Sequence, residues 1–327
     1  MDQTKQSTIN KSLTIAIPTY NRCVFLDENL KRIQNQFNDN IDILICDNAS
    51  TDQTSEVVQK YLDQGLPIRY FKNTENFGWE KNFELCFKRS IGKYTMLIGD
   101  DDFIVENGID LILRSIDNEK IDLLFCRAFG FDKLPPENKN KFNSPAKHYD
   151  LESFLEKTIL QFRLLSSYVI KSEYIESSGS FTGNFAHLHV IFNVLLKGSN
   201  FSIINDKIIA CKKDNSDFDQ RTNFSDIYMK EFFELYRSYL SQKVSARNNE
   251  SVERIMLYEY YPKYIFKMRI NMLKNDPKLE ENFVKIFSNH KSYNFLNFVF
   301  LKKNILTTII LFLIILYYQI IRIIRGY

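Results

Sequence analysis

The feature that most limits how this chain can fold is a repeated alternation of short apolar runs with helix-period segments across its first hundred residues. Leu13–Ile17 (LTIAI), Ile41–Cys46 (IDILIC), Ile68–Phe71 and Tyr94–Ile98 (YTMLI) read as buried strands. Each is a compact β-branched or aromatic run cut off by Pro, Gly, Asn or Asp. Between the first two, Val24, Leu26, Leu30, Ile33 and Phe37 recur at helical spacing. Val57, Val58, Tyr61 and Leu62 give a second helix its apolar face, with Ser50, Thr51 and Asp52 as helix-start candidates. Phe83, Cys86 and Phe87 form a third such face within Trp79–Ser90. Connections this short imply βαβ units, hence an α/β fold with a mostly parallel sheet flanked by helices.

In such sheets ligands sit beyond the carboxyl ends of the strands. The loops expected there are PTYNR (Pro18–Arg22), DNAS (Asp47–Ser50), NTENFG (Asn73–Gly78) and GDDD (Gly99–Asp102). Polar loops gathered at one edge point to a binding edge. The last loop carries the sharpest chemistry. Asp100, Asp101 and Asp102 are adjacent, and like charges this close repel unless something positive sits among them. A hard cation such as Mg²⁺ or Mn²⁺ would remove the conflict. Mg²⁺ characteristically takes one or two protein carboxylates and completes its shell with substrate phosphates, so the strand end suggests a metal-chelated diphosphate. An isolated run of acids is more often a solvated turn; the company of the other loops favours binding.

A length of 327 residues allows one large domain or two. The formal charge of +3 is too balanced to argue for nucleic acid. Five cysteines, none in CxxC spacing, indicate neither a disulfide framework nor a zinc site. Free thiols in a reducing compartment are expected. The polar start of the chain shows no apolar core of a signal peptide.

Farther along, a helix is expected from about Val105 to Ile116 and a strand at Ile121–Cys126. Lys133–Lys147 reads as a long polar loop, disordered or a lid. Leu151–Phe162 looks helical, and Leu164–Ile170 looks like a strand lining the far side of the site. A turn at Ser180–Gly183 precedes an apolar helix, Ala186–Leu196, bearing His187 and His189 and ended by Gly198. Phe201–Cys211 reads as a strand or hairpin. From these patterns residues 1–212 form an α/β domain with a binding edge, 213–300 a helical extension and 301–327 a membrane-associated helix. Ile305–Ile321 lacks charge and lies between Lys302 and Lys303 on one side and Arg322 and Arg325 on the other. It would extend roughly 25 Å, against a hydrocarbon core of ~30 Å. Apolar residues all round argue against a helix lying on the surface, and two basic flanks leave orientation, and even spanning, open.

The series LTIAIPTYNR, ILICDNASTDQT, NTENFGWEKNFE and GKYTMLIGDDD resembles the family 2 glycosyltransferases of the GT-A (Rossmann-like) fold, within them the bacterial surface-polysaccharide enzymes of the abequosyltransferase-like branch. The likeness is strong over about residues 12–130, weaker to about 211 and absent beyond. It implies a nucleoside-diphosphate sugar donor, Mn²⁺ or Mg²⁺, and a glycan acceptor, lipid-linked at the cytoplasmic face of the cell membrane. It also implies an inverting transfer. Carried over residue by residue, Pro18, Thr19 and Asn21 lie against the nucleotide with Arg22 nearby. Asp47 takes a hydrogen bond from the pyrimidine base. Asn76, Gly78 and Asn82 close over the donor, Asp100 touches the ribose, and Asp101 or Asp102 holds the metal. Many relatives carry an acid where Gly99 stands, so the register of the DxD motif is open. Relatives also place an acidic base about a dozen residues before a glycine; counting back from Gly198 reaches His187, whose imidazole can take a proton near neutral pH. That substitution equally suits a non-catalytic, membrane-tethered nucleotide-sugar-binding or scaffold protein of the same fold. A nucleotidyltransferase fits less well, because the first loop has no glycine, and a dehydrogenase lacks its GxGxxG.

Overall fold

The computed structural model describes residues 11–118, 120–133, 142, 144–176, 181–213, 223–270 and 272–324. Most of the Lys133–Lys147 loop, Ser180 of the expected turn, the stretch 214–222 and Arg325 lie outside the described residues. The chain divides into two compact units. The first comprises Met1–Tyr149, Leu164–Thr182 and Ala186–Lys213. The second comprises Asp150–Arg163, Gly183–Phe185 and Asp214–Tyr327.

The first unit is built on one sheet whose strand order is β3-β2-β1-β4-β8-β6-β9-β5, with β7 also on β9. Strands β1 (Leu13–Thr19), β2 (Ile41–Asp47), β3 (Ile68–Lys72) and β4 (Tyr94–Leu97) form its parallel half, as the alternation requires. Helices α1 (Cys23–Asn35), α2 (Thr54–Asp63) and α3 (Trp79–Arg89) connect them. The expected apolar faces pack inward, with Leu26, Leu30 and Ile33 of α1, Val58 and Tyr61 of α2 and Cys86 and Phe87 of α3 all buried. Val24 does not join them; it lies in the first turn of α1 and stays exposed.

Three expectations are corrected. Strand β1 does not stop at Pro18 but runs through it to Thr19. Its pairing with β4 ends at Ala16, so Pro18 has a strand on one side only, where a missing N–H is tolerated. The helix after the acidic loop, α4 (Gly108–Asn118), starts later than expected, because Phe103–Ile104 forms β5 against β9 (Phe201–Lys212). The run Leu164–Ile170 does not line a far side. Only Tyr168–Lys171 is strand (β8), after a 3-10 turn at Leu165–Ser167, and it lies mid-sheet, antiparallel to both β4 and β6 (Leu123–Phe131). β9 is one long strand, parallel to β6 and antiparallel to β7 (Lys147–Tyr149). The helix α6 (Ala186–Lys197) packs against α3, β6 and β8.

The second unit is helical, with α5 (Leu151–Thr158), α7 (Phe232–Leu240), α8 (Ala246–Ile255), α9 (Tyr261–Arg269), α10 (Leu279–Phe287), α11 (Tyr293–Leu301) and α12 (Ile305–Ile324). Aromatic rings hold it together: Phe162 lies 4.1 Å from Phe232 between centroids, and Phe224 stacks on Tyr264 at 4.7 Å.

One buried pair fastens the far end of the parallel half. Arg69 Nε and Nη2 each donate to Asp42 at 2.7 Å, and Thr14 Oγ1 donates to the same carboxylate at 2.8 Å. Asp42→Ala strips the half-buried guanidinium of its partner; the variant is expected to lose about 3 kcal/mol in urea unfolding. A loss within measurement error would show that the pair contributes nothing.

Candidate active site

The carboxyl ends of β1, β2, β3 and β4 deliver the four polar loops to one edge, and hydrogen bonds stitch those loops together in pairs. The first pair is PTYNR and DNAS. Asn21 takes a left-handed backbone (φ 53°), as does Ala49 (φ 67°). Asn21 Oδ1 accepts from Thr51 N at 2.7 Å, and its own N–H donates to Ser50 Oγ at 2.9 Å. Asp52 accepts from Cys23 N at 3.0 Å and from Thr54 N at 3.1 Å, so one carboxylate starts two helices.

Asp47 is fully buried. One oxygen accepts from Ser50 N at 2.8 Å and the other from the Tyr70 hydroxyl at 2.6 Å, with Lys72 Nζ 4.0 Å away. Burial and the Asp47 charge raise the Tyr70 phenol, keeping it a donor. The second pair, DNAS with NTENFG, turns on Asn48. Its amide donates to Asn76 Oδ1 at 2.6 Å, and its oxygen accepts from Asn73 Nδ2 at 3.0 Å and Phe77 N at 3.1 Å. Asn82 donates to Cys46 O at 2.8 Å. Gly78 has φ 84° and nothing near where a Cβ would stand, so backbone conformation rather than crowding selects glycine there. Asn21, Asp47, Asn76 and Asn82 thus shape the edge from within. Tyr20, Phe77 and Trp79, each 44% exposed, stand on its surface, with Trp79 edge-on to Phe83 at 5.4 Å.

The acidic loop contains the cation that its charge demands, and it is a side chain. Arg22 Nη1 donates to Asp101 Oδ2 at 2.5 Å and to Asp100 Oδ1 at 3.1 Å. Thr19 Oγ1 donates to the other Asp100 oxygen at 2.8 Å. Beneath, Asn29 of α1 is fully buried and its amide reaches Asp102 O at 2.9 Å and Gly99 O at 3.2 Å. Ser166, in the turn before β8, accepts from Gly99 N at 2.9 Å and donates to Asp102 Oδ2 at 2.5 Å. Lys212 N donates to Asp102 Oδ1 at 3.2 Å.

Burial pushes Asp100 up to about 6; Arg22 pulls it back and Asp101 adds to the rise. Burial likewise pushes Asp102 up to about 7, against the Ser166 hydroxyl, and Asp101 adds to it. The residue as a whole keeps some open surface while its carboxyl lies under these neighbours. Burial works against the Arg22 charge, but Asp100 and Asp101 outweigh it, so the guanidinium stays protonated.

Among the described residues no three His, Cys, Asp or Glu side chains converge as a metal-binding group. The donors nevertheless suit a hard cation that takes two carboxylates and completes its shell from a ligand. A Cβ built on Gly99 would stand 3.4 Å from Asp101 Oδ1 and 3.5 Å from Asp102 Oδ2, so one oxygen of each acid lies beside that glycine, the Asp102 oxygen also taking the Ser166 hydroxyl. Asp101 is engaged through one oxygen only, the one that Arg22 takes.

His187 lies in the first turn of α6 and is 5% exposed. His189 is half-buried, with Nε2 3.2 Å from Thr182 O. Sequence reasoning missed Asn29, Asn48, Tyr70 and Ser166. Asn29 leaves a signal, a polar residue on the apolar stripe of α1 three after Leu26. Ser166 leaves none.

A parallel half-sheet with an acidic edge defines a class that comparison with solved structures makes specific. The chain superposes on Staphylococcus aureus TarS 1-349, determined in complex with UDP-GlcNAc, with a TM-score of 0.61 over 88% of this chain and 86% of that one, at 16% identity. It has the GT-A fold. The family model described as Glycosyl transferase family 2 matches residues 14–177, just over half of the sequence, and the chain belongs to that family of glycosyltransferases. It is similar to the abequosyltransferase RfbV of Salmonella typhimurium, 28% identical over 75% of this chain and 82% of that protein. It is also similar to the GalNAc(5)-diNAcBac-PP-undecaprenol beta-1,3-glucosyltransferase of Campylobacter jejuni, 30% identical over 31% of this chain and 33% of that protein.

Arg22→Ala removes the charge that stands between Asp100 and Asp101. The variant is expected to melt lower than wild type in metal-free buffer, and Mn²⁺ is expected to raise its Tm more than that of wild type. Equal Mn²⁺ shifts in the two proteins would contradict a shared site for guanidinium and cation.

Proposed function

We propose that this glycosyltransferase moves a sugar from a nucleoside-diphosphate donor to a hydroxyl of a lipid-linked glycan in bacterial surface-polysaccharide synthesis, with a divalent cation and inversion at the anomeric carbon. The observation that carries the reading is the meeting of Asp101 Oδ1 and Asp102 Oδ2 beside Gly99, with Arg22 on the other Asp101 oxygen. Two carboxylates there, beside an arginine, suit a chelated diphosphate better than a bare anion. The lipid-linked acceptor is supported by the Campylobacter jejuni relative, a glucosyltransferase named for GalNAc(5)-diNAcBac-PP-undecaprenol.

In this reading Pro18, Thr19, Asn21, Arg22, Asp47, Asn76, Gly78, Asn82 and Asp100 build the nucleotide side. Asn21, Asp47, Asn76 and Asn82 act by holding the loops in shape, and Arg22 turns from Asp101 toward phosphate oxygen. Asp101 and Asp102 would hold Mn²⁺ or Mg²⁺, which would offset the charge of the departing diphosphate. The acceptor oxygen bonds to the anomeric carbon as the bond from that carbon to the diphosphate breaks. Attack opposite the leaving group inverts the centre, and the hydroxyl proton passes to a base, which we assign to His187 on its spacing before Gly198.

The tests are direct. Asp101→Asn with Asp102→Asn is expected to lower transfer by more than about a thousandfold, the scale on which removal of leaving-group stabilisation acts, and EDTA is expected to silence wild type. Full activity in EDTA would refute the metal assignment. His187→Ala with donor binding intact but turnover near wild type would remove that residue from the mechanism. A thermal-shift screen of UDP-, GDP-, CDP- and dTDP-sugars with and without Mn²⁺ identifies the donor; no shift and no donor hydrolysis with any of them would favour the non-catalytic alternative.

A further inference from the structure

The C-terminal helix of the second unit is built inside out for a protein in water. Ile305, Ile309, Phe312, Leu316, Ile320 and Ile323 recur at steps of three and four, so they form a single stripe along α12. All are exposed, from 43% at Leu316 to 81% at Ile305. Thr307, Tyr318 and Arg322 face inward instead, while Gln319 stays exposed. Thr307 accepts from Arg269 Nη1 at 3.2 Å, the Tyr318 ring lies 5.7 Å from Tyr258, and Arg322 Nε lies 4.0 Å from Glu259 Oε2. An apolar strip this long is far more than a soluble monomer ordinarily leaves uncovered.

The same contacts say how a membrane would cover it. Arg269 meets the start of α12 and Glu259 its end, so α9 and the turn before it run antiparallel along the whole helix. They carry Glu259, Lys263, Lys267 and Arg269. Drawing α12 across a bilayer would either break these contacts or pull four charged residues into hydrocarbon, where each is costly. Lying flat costs neither: the stripe enters one leaflet while α9 stays on the water side. The sequence argued against a surface-lying helix because α12 by itself is apolar all round. The polar face that such a helix needs is supplied by α9.

Charge indicates which membrane. Lys302 and Lys303 are exposed at the start of the stripe. Beside them a cavity of about 430 Å³ is lined by Met268, Arg269, Asn275, Lys303, Asn304 and Ile305, among others, with no acidic residue among its described lining. Arg269 bonds Thr307 through Nη1 and the Val299 and Lys302 carbonyls through Nη2. A lipid phosphate would meet the Arg269 and Lys303 charges at that point.

We propose that α12 is an interfacial helix that lies in one leaflet of an anionic phospholipid membrane, with a headgroup phosphate at Arg269 and Lys303. The proposal is independent of the transfer chemistry and stands if the donor assignment fails. The full chain is expected to float with phosphatidylcholine–phosphatidylglycerol vesicles, and about tenfold less with phosphatidylcholine alone. Leu316→Asp with Ile320→Asp changes exposed side chains only; it is expected to lower flotation at least about tenfold while leaving the melting temperature in place. Equal flotation on the two vesicle types overturns the anionic preference, and undiminished flotation of the double variant overturns the docking face. A soluble dimer that does not float would mean that a second copy covers the stripe.

Orientation is read with an impermeant maleimide, using Lys302→Cys in one protein and a cysteine appended after Tyr327 in another. Neither cysteine is expected to react in intact cells, and both are expected to react in inside-out membrane vesicles. Labelling of either one in intact cells overturns the flat arrangement.

Discussion

A guanidinium sits among carboxylates that would otherwise force one another apart, and the binding edge depends on that contact. Arg22 leaves the first strand and Asp100 and Asp101 follow the fourth, so the ion pairs at 3.1 and 2.5 Å tie together loops that lie far apart in sequence but adjacent in the sheet. The tie is partial by design of the chemistry. The Arg22 side chain keeps 39% of its surface, so in water the pairs are screened and individually weak. Their importance lies in position: they let buried acids collect at one point without a ligand present, and they are loose enough to yield to one.

Around that contact, most polar groups of the edge are already committed. Asp47, Asn48, Asn73 and Asn82 bond to backbone and to each other beneath the surface. Such groups contribute preorganisation, since a ligand then meets loops whose conformational entropy has largely been lost on folding. What remains outward is a smaller set, namely the rings of Tyr20, Phe77 and Trp79, the guanidinium of Arg22, and the acids beside Gly99, of which Asp101 keeps open surface. Flat apolar faces beside a cation and two acids form a sparse but chemically mixed surface. That mixture matches a ligand with a ring at one end and phosphates at the other.

The parallel half of the fold was legible because its information is local. Runs such as IDILIC announce a buried strand, and a helix-period segment after each fixes the crossover. In the other half β6 and β9 were expected as strands, but their pairing was not legible, because pairing at long range leaves no local mark. Tyr168–Lys171 sits between β4 and β6 only because both present open ladders there, and nothing in LLSSYVI states its neighbours. The site divides along the same line. The acids, the asparagines and Arg22 were visible as loop residues, but the partner of Asp102 was not. Ser166 reaches it from a turn in the antiparallel half, and a lone serine there has no pattern to be read. What local sequence did not disclose is that Arg22 stands among the acids and offsets part of their repulsion.

Helix α12 shows the same limit from the other side. Its composition was plain, yet composition describes a helix in isolation, and burial of one face depends on what packs against it. With Thr307, Tyr318 and Arg322 turned toward α9 and the turn before it, an apolar segment becomes the outer half of an amphipathic pair. Both the acidic loop and this helix break a local rule, by collecting like charges in one case and exposing apolar side chains in the other. In each, a neighbouring arginine satisfies part of the conflict: Arg22 among the acids, Arg269 at the foot of the helix. The part left unsatisfied, the acids beside Gly99 and a bare apolar stripe, is what a chelated diphosphate and a lipid leaflet would each complete.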